Sequence, residues 1–417
     1  MTAGGTLIDA LRAAVGFEPA AERVGNLTLG GGRLDGRAVQ VALVENFVAS
    51  GSLGLAECER LAAVFERCVP DRTPLVMYID SAGARVSEGL RALGGFRLAY
   101  RAGLRAALAG VPIAALLGRN CFGGASMLAH LAAQRLLGPD TRMAMSGPAV
   151  IAAASGSNPL DEAFRAMAEA TFSPRSRAGT CAANGAWEPG TDVQPWLRDA
   201  LQAQPDRAAR FRERHEELRA RLESSRDPPA WKAARRDELA RIFSTYEGEE
   251  CDGVIAGQGR DEGAVESFVG FVDNKPVDAA RAWRFADIAW RHAADPPQRL
   301  EVFLDSASHA ARLDEERRIL TEYVVDAAAA LAALAARGTR VNLTVTGRAG
   351  GGIYVALAAP AQRVRSVYAR ARIEVLPGSA VAAILGESRD DAPTFGEYRS
   401  AGVADEELKL GFVPGNA

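Results

Sequence analysis

Two kinds of apolar pattern alternate along this chain of 417 residues. Short, nearly uninterrupted apolar runs stand at 39–45 (VQVALVE), 74–79 (PLVMYI), 112–117 (PIAALL) and 135–137. Between them, 55–68 and 88–109 space their apolar residues three and four apart, and a further helix starts at 123–133. The short runs predict strands buried on both faces; the spaced stretches predict helices that cover them. The order then returns: a strand at 300–304, a long Ala-rich helix at 315–337, a strand at 341–345 and a helix start at 351–359. Strands alternating with helices in this way predict βαβ units and an α/β fold with stacked parallel sheets.

The pattern repeats in its letters as well. FVASGSLG begins at Phe47 and FVDNKPVD at Phe271. DSAGAR begins at Asp80 and DSASHAAR at Asp305. GRNCFGG begins at Gly118 and GRAGGG at Gly347, and Gln134-Arg135 returns as Gln362-Arg363. These landmarks keep one order at separations of 224, 225, 229 and 228 residues. A repeat this long is a duplicated domain and not a solenoid unit. It predicts a first domain over 1–157, a partly helical connector over 158–252, and a second domain over 253–417 that ends in a polar, partly helical tail. A pseudo-twofold axis should relate the domains and bring Gly123-Gly124 and Gly351-Gly352 across one cleft.

Composition narrows the setting. The net charge of −3, from 49 basic and 52 acidic residues, gives no electrostatic footprint for nucleic acid. The charged stretch 206–241 balances its signs and reads as a solvated helical connector. The first fifteen residues lack the basic start of a signal peptide, and no apolar run is long enough to span a membrane. Five cysteines without a CxxC pair point to reduced thiols, no zinc ribbon and a cytoplasmic setting. Cys121 reads as a small buried filler, with His130 too far along the next helix to activate it directly.

The chemistry is expected in the loops that leave the strands. Small residues at Gly83 and Ala84 let a ligand approach the backbone, with both N–H groups free to donate. Gly123-Gly124 leaves a strand and enters a helix, where the Gly124 N–H points outward and favours an anion. Two such donors form an oxyanion hole. In the second repeat, Gly350-Gly351-Gly352 restates the glycine turn, while Ser308-His309-Ala310 stands in place of Gly83-Ala84.

Read together, GSLG at 51–54, TPLVMYIDSAGARVSEGL at 73–90, CFGGASMLA at 121–129 and SGPAVI at 146–151 resemble the carboxyltransferase branch of the crotonase superfamily. Ala82 replaces the first glycine of that family's DSGGAR. Within the branch, the first repeat looks most like the β subunit of biotin-independent malonate decarboxylase, and the second, more faintly, like its γ subunit. The resemblance implies two tandem crotonase-like domains. It also implies decarboxylation of a malonyl thioester through an enolate held by Gly83, Ala84, Gly123 and Gly124, with Gly351 and Gly352 forming a second hole. Arg85, Ser146, His309 and Arg348 are the substrate-binding candidates. Arg85 either contacts carrier phosphates or pairs with Glu88. His309 either protonates the enolate, binds a carboxylate or is an exposed loop residue. Arg348 either holds a carboxylate or is a surface charge.

No covalently bound cofactor and no metal are implied. Coenzyme A or a phosphopantetheine arm carries the acyl group, so the partners are a CoA thioester or an acyl-carrier protein, and a homo-oligomer is compatible with this. Two other readings stand beside it. One is acyl or carboxyl transfer with biotin from a separate subunit; the other is a non-catalytic scaffold of a carboxyltransferase complex.

Overall fold

A computed structural model describes residues 5–156, 161–202, 206–223, 229–261, 264–386 and 393–409. The chain divides into two compact units. The first holds the residues up to Ala209 with Ala311–Glu322 and the helix Gly378–Leu385; the second holds Arg210–Ala310, Tyr323–Pro377 and the C-terminal tail.

The first unit is built on a sheet that runs Glu18–Pro19, Leu27–Leu34, Arg37–Val44, Leu75–Ser81, Ile113–Phe122, Gln134–Leu137 and Asn184–Ala186, with Arg142–Ala144 pairing the far end of Ile113–Phe122. The opening hairpin is antiparallel and the strands after it are parallel. The second unit repeats this order with Val254–Asp261, Ala264–Asn274, Arg299–Ser306, Arg340–Val345 and Arg363–Val367, again one antiparallel pair followed by parallel ones. The fold is thus mixed α/β with two parallel-rich sheets, as the alternation of strands and helices in the sequence leads one to expect.

Burial explains why the apolar runs are continuous. Leu75 to Ile79 are all buried because helices cover both faces of a parallel sheet. The helix Leu55–Cys68 buries Cys58, Leu61, Ala62, Phe65 and Cys68, one stripe at helical spacing.

Two helices differ from the sequence pattern. The stretch 315–337 is broken: Leu313–Arg317 ends at Arg318, and Leu320–Ala336 starts only after Ile319, whose φ of 60° is left-handed. Periodicity continues through this break, so it does not reveal it. The stretch 88–109 starts later, as Leu90–Leu108, after Gly89 at φ 55°.

The connector supplies more than a link. Asn184–Ala186 extends the first sheet, Thr245–Cys251 the second, and in the tail Glu406–Leu408 adds a parallel edge strand beside Arg363–Val367. The helix Arg207–Glu223 is anchored through buried Phe211, His215 and Leu218. His215 Nδ1 lies 2.7 Å from Asp326 Oδ2 and its Nε2 3.6 Å from Asp287 Oδ1, while Trp283 stacks on the ring. Burial alone would push this imidazole down; the two carboxylates outweigh it and raise it from 6.5 to about 9. A folded-state value above the unfolded one stabilises fully below pH 6.5, and that contribution fades as pH rises through 9. His215→Gln should therefore destabilise the fold at pH 6. Denaturant titrations should show the gap to wild type shrinking by on the order of 3 kcal/mol between pH 6 and 9.5.

Candidate active site

The DSAGAR loop and the CFGG turn meet in the first unit. Register places Ser81 beside Cys121. Gly83, at φ 96°, packs on the turn so closely that a Cβ there would stand 2.7 Å from the Phe122 carbonyl and 3.4 Å from the Gly124 nitrogen.

The repeated Asp and Gly landmarks build the platform beneath. Asp80 Oδ1 accepts the Asn120 N–H at 3.0 Å, and Asp305 Oδ1 accepts the Arg348 N–H at 2.9 Å. A side chain at Gly118 would strike Asp80 Cβ at 2.7 Å, and one at Gly347 would strike the Asp305 carboxylate. Each glycine thus admits the aspartate that clamps the strand exit in its own repeat. Burial pushes the Asp80 carboxyl up, while the Asn120 and Arg119 amides and nearby arginines pull it down.

Of the four amides expected in the first hole, two are engaged. The Gly83 N–H donates to Ser81 Oγ at 3.1 Å, and the Gly123 N–H to the Ala144 and Met145 carbonyls at 3.3 and 3.1 Å. Ala84 and Gly124 are the pair that donate to no atom among the described residues. Leu53 bridges the loop, its N–H donating to the Gly83 carbonyl and its carbonyl accepting the Arg85 N–H, which turns the Ala84 N–H the other way. Gly123 holds φ 54°, ψ −129°, a region only glycine enters readily, and so aims the following peptide. Phe96 packs where a Gly124 side chain would stand.

Arg85 is anchored away from the hole. Its guanidinium pairs with Glu57, with Glu88 at 2.9 Å and with the Ser52 carbonyl at 2.7 Å. Ser146 is buried, and its N–H donates to Glu316 Oε1 at 2.7 Å. Burial pushes the Cys121 thiol up, away from nucleophilic chemistry.

In the second unit, His309 takes the place of Ala84: it bridges Val277 in parallel as Ala84 bridges Leu53. Far from being an exposed loop residue, it is 6% exposed. Burial pushes its imidazole down to about 4, so it is neutral at pH 7. Ser308 Oγ lies 3.2 Å from His309 Nδ1. A Cβ on Gly351, at φ 55°, would stand 3.0 Å from Ser308 Oγ and 3.5 Å from the imidazole. The helix Gly351–Ala358 starts here with Gly352 as its second residue. The second loop pair therefore repeats the parallel bridge and the positive φ of the glycine turn, but Ser308 lacks the positive φ of Gly83 and side chains line the turn. Arg348, half-exposed, pairs with Glu374 at 3.2 Å.

Two buried residues that sequence reasoning missed are Glu316, from 313–322, and Arg177, from the helix Pro174–Ala178. Glu316, fully buried, accepts the Met145 and Ser146 N–H groups at 3.1 and 2.7 Å. Arg177, also fully buried, donates to the Glu316 and Met143 carbonyls at 2.7 and 2.8 Å. Burial lifts the Glu316 carboxyl to about 7 against the pull of Arg177 and the two amides.

Residues 12–167, which hold this loop pair, match the carboxyl transferase domain family. Over 128 residues the chain is 35% identical to the carboxyltransferase subunit of propionyl-CoA carboxylase from Haloferax mediterranei, spanning 30% of this chain and 25% of that protein. It is 30% identical over 142 residues to the methylmalonyl-CoA carboxyltransferase 12S subunit of Propionibacterium freudenreichii subsp. shermanii, spanning 34% and 27%. The chain thus spans about a quarter of the length of these relatives. A Pseudomonas malonate decarboxylase hetero-tetramer solved with malonate superposes with a TM-score of 0.46 at 19% identity, covering 54% of this chain and 92% of that one. No helix among the described residues is long and apolar enough to cross a membrane.

Proposed function

We propose that this chain moves a carboxyl group onto or off the α-carbon of an acyl thioester carried on coenzyme A or a phosphopantetheine arm. The observation that carries the reading is the pair of amides, Ala84 and Gly124, held side by side by Gly83. When the bond from the α-carbon to the carboxylate breaks, its electrons move to the thioester oxygen and an enolate forms. Two amides aimed at that oxygen lower the barrier in both directions, and each donor of this kind contributes roughly 3–4 kcal/mol. The step needs no strong base, because carbon dioxide leaves and not a proton.

The acceptor of the carboxyl group sets the two readings apart. The relatives over 12–167 are carboxyltransferases of acyl-CoA substrates by name, which favours transfer to or from a carrier such as biotin on a separate subunit. The second reading replaces that acceptor with a proton, giving malonyl-thioester decarboxylation. It is favoured by the likeness of CFGGASMLA and SGPAVI to a decarboxylase subunit, with water as the source of the proton, because the neutral imidazole of His309, pushed down to about 4, has none to give at pH 7.

Incubating the protein with malonyl-CoA, methylmalonyl-CoA and malonyl acyl-carrier protein, each with and without biotin, tests both. Consumption that depends on biotin is expected for transfer, and biotin-independent loss of carbon dioxide for decarboxylation. Inertness toward all three under both conditions would move the non-catalytic scaffold to the front.

A further inference from the structure

We infer that Glu316 and Thr321 are positioning residues for the Gly124 N–H, supplied to the first repeat's hole by a segment that belongs in sequence to the second repeat. The inference rests on the hole assigned above to Ala84 and Gly124.

The donor's direction is fixed by the plane of the Gly123–Gly124 peptide, and two chains of contacts hold that plane. The first acts on the nitrogen side of Gly123. Its N–H donates to the carbonyls of Ala144 and Met145. The chain just beyond is gripped by Glu316, whose two oxygens accept the Met145 and Ser146 N–H groups. Glu316 is in turn located by Arg177, through its own carbonyl.

The second chain acts on the carbonyl side. The Gly123 oxygen accepts Ser126 Oγ–H at 2.8 Å and the Met127 N–H at 3.2 Å. Ser126 has one hydroxyl hydrogen, already used on that oxygen. Its 3.1 Å contact with Thr321 Oγ1 is therefore a hydrogen bond donated by Thr321. Thr321 is fully buried, so this hydroxyl has no water to turn to.

Gly123 is thus held from 313–322 at its own N–H and at its carbonyl, the group that shares a peptide plane with the Gly124 N–H. That segment follows directly on the loop of Ser308 and His309, and within the first unit it packs on the helix Glu162–Phe172. A second piece of the later repeat, the helix Gly378–Leu385, packs in the same unit on Pro148–Ser155, which follows Ser146. The left-handed Ile319 lets one short segment serve both anchors, because it ends the helix of Glu316 and starts that of Thr321. An unbroken helix could not set the two side chains independently.

The test uses the full chain with malonyl-CoA, with and without biotin, and compares Glu316→Gln, Thr321→Val and Thr321→Ser with Ala84→Pro. Gln keeps the shape of Glu316 but presents an NH2 group to one of the two backbone donors; Val removes the Thr321 hydroxyl and Ser keeps it. The expected result is a fall in kcat on the order of tenfold or more for Glu316→Gln and Thr321→Val, with KM little changed and Thr321→Ser near wild type. Hydrogen exchange should accelerate at the Gly123, Met145 and Ser146 amides in Glu316→Gln, and this readout needs no turnover. Unchanged exchange at these amides, or unchanged kcat in both variants while Ala84→Pro is inactive, would overturn the inference. Full activity of Ala84→Pro would instead remove the hole itself.

Discussion

Ala84→Pro should lower turnover of an acyl thioester by on the order of a hundredfold or more, with little change in stability. Proline removes the Ala84 N–H and puts ring carbons where a thioester oxygen would approach. The folded protein loses no hydrogen bond, because that N–H donates to no protein atom among the described residues. The two bonds that bind this loop to Leu53 use the Gly83 carbonyl and the Arg85 N–H, which proline leaves intact. Ala84 is also absent from the residues with positive φ, so no left-handed backbone excludes the ring. The comparison is kcat and KM for wild type and variant, alongside their denaturation midpoints. Gly124→Val is a poorer probe: its side chain would drive into Phe96, so lost packing would be confounded with lost chemistry.

Gly123→Ala should reduce both turnover and stability, although there is room for the added methyl. A Cβ at this position meets nothing nearer than the Met145 carbonyl at 3.8 Å. The penalty is therefore in the backbone, at φ 54° and ψ −129°, and such strain costs about 1–3 kcal/mol. The chain can relieve it by rotating the Gly123–Gly124 peptide, which swings the Gly124 N–H off the hole. Denaturant titration should show a stability loss of about 1–3 kcal/mol. Activity at a temperature where the variant is fully folded should fall by roughly ten- to a hundredfold. A variant that loses stability but keeps full kcat would show that the direction of Gly124 does not matter.

The doubling of the fold was legible because its landmarks are architectural. Asp80 with Gly118 and Asp305 with Gly347 recur because each pair fixes a strand exit by one backbone hydrogen bond. Such a joint needs a carboxylate and a position without a side chain, and it leaves a trace in the letters. The glycines of the hole were visible for the same reason, since Gly83 and Gly123 stand where a side chain would collide or strain. Which amides remain available was not visible. Gly83 and Gly123 look like donors in sequence, yet Ser81 Oγ and the Ala144 and Met145 carbonyls occupy them.

Glu316 was hidden for a different reason. LDEER after a loop reads as an ordinary acidic helix start, and only the fold returns that helix to the first unit, beneath Met145 and Ser146. His215 was hidden among balanced surface charges, because one buried face of a mostly polar helix leaves a weak pattern.

The central claim is that Ala84 and Gly124 hold a thioester enolate, and its most direct test follows both the carboxyl carbon and the α-carbon. Malonyl-CoA labelled with carbon-13 in its free carboxyl is incubated in D2O with the protein, with and without biotin, and the products are read by mass spectrometry. The expected result is that label leaves the malonyl group. Either acetyl-CoA with one deuterium at the methyl forms, or the label appears on biotin, and Ala84→Pro slows both by on the order of a hundredfold. Label release by Ala84→Pro at the wild-type rate would contradict it, as would malonyl-CoA recovered intact from wild type under both conditions.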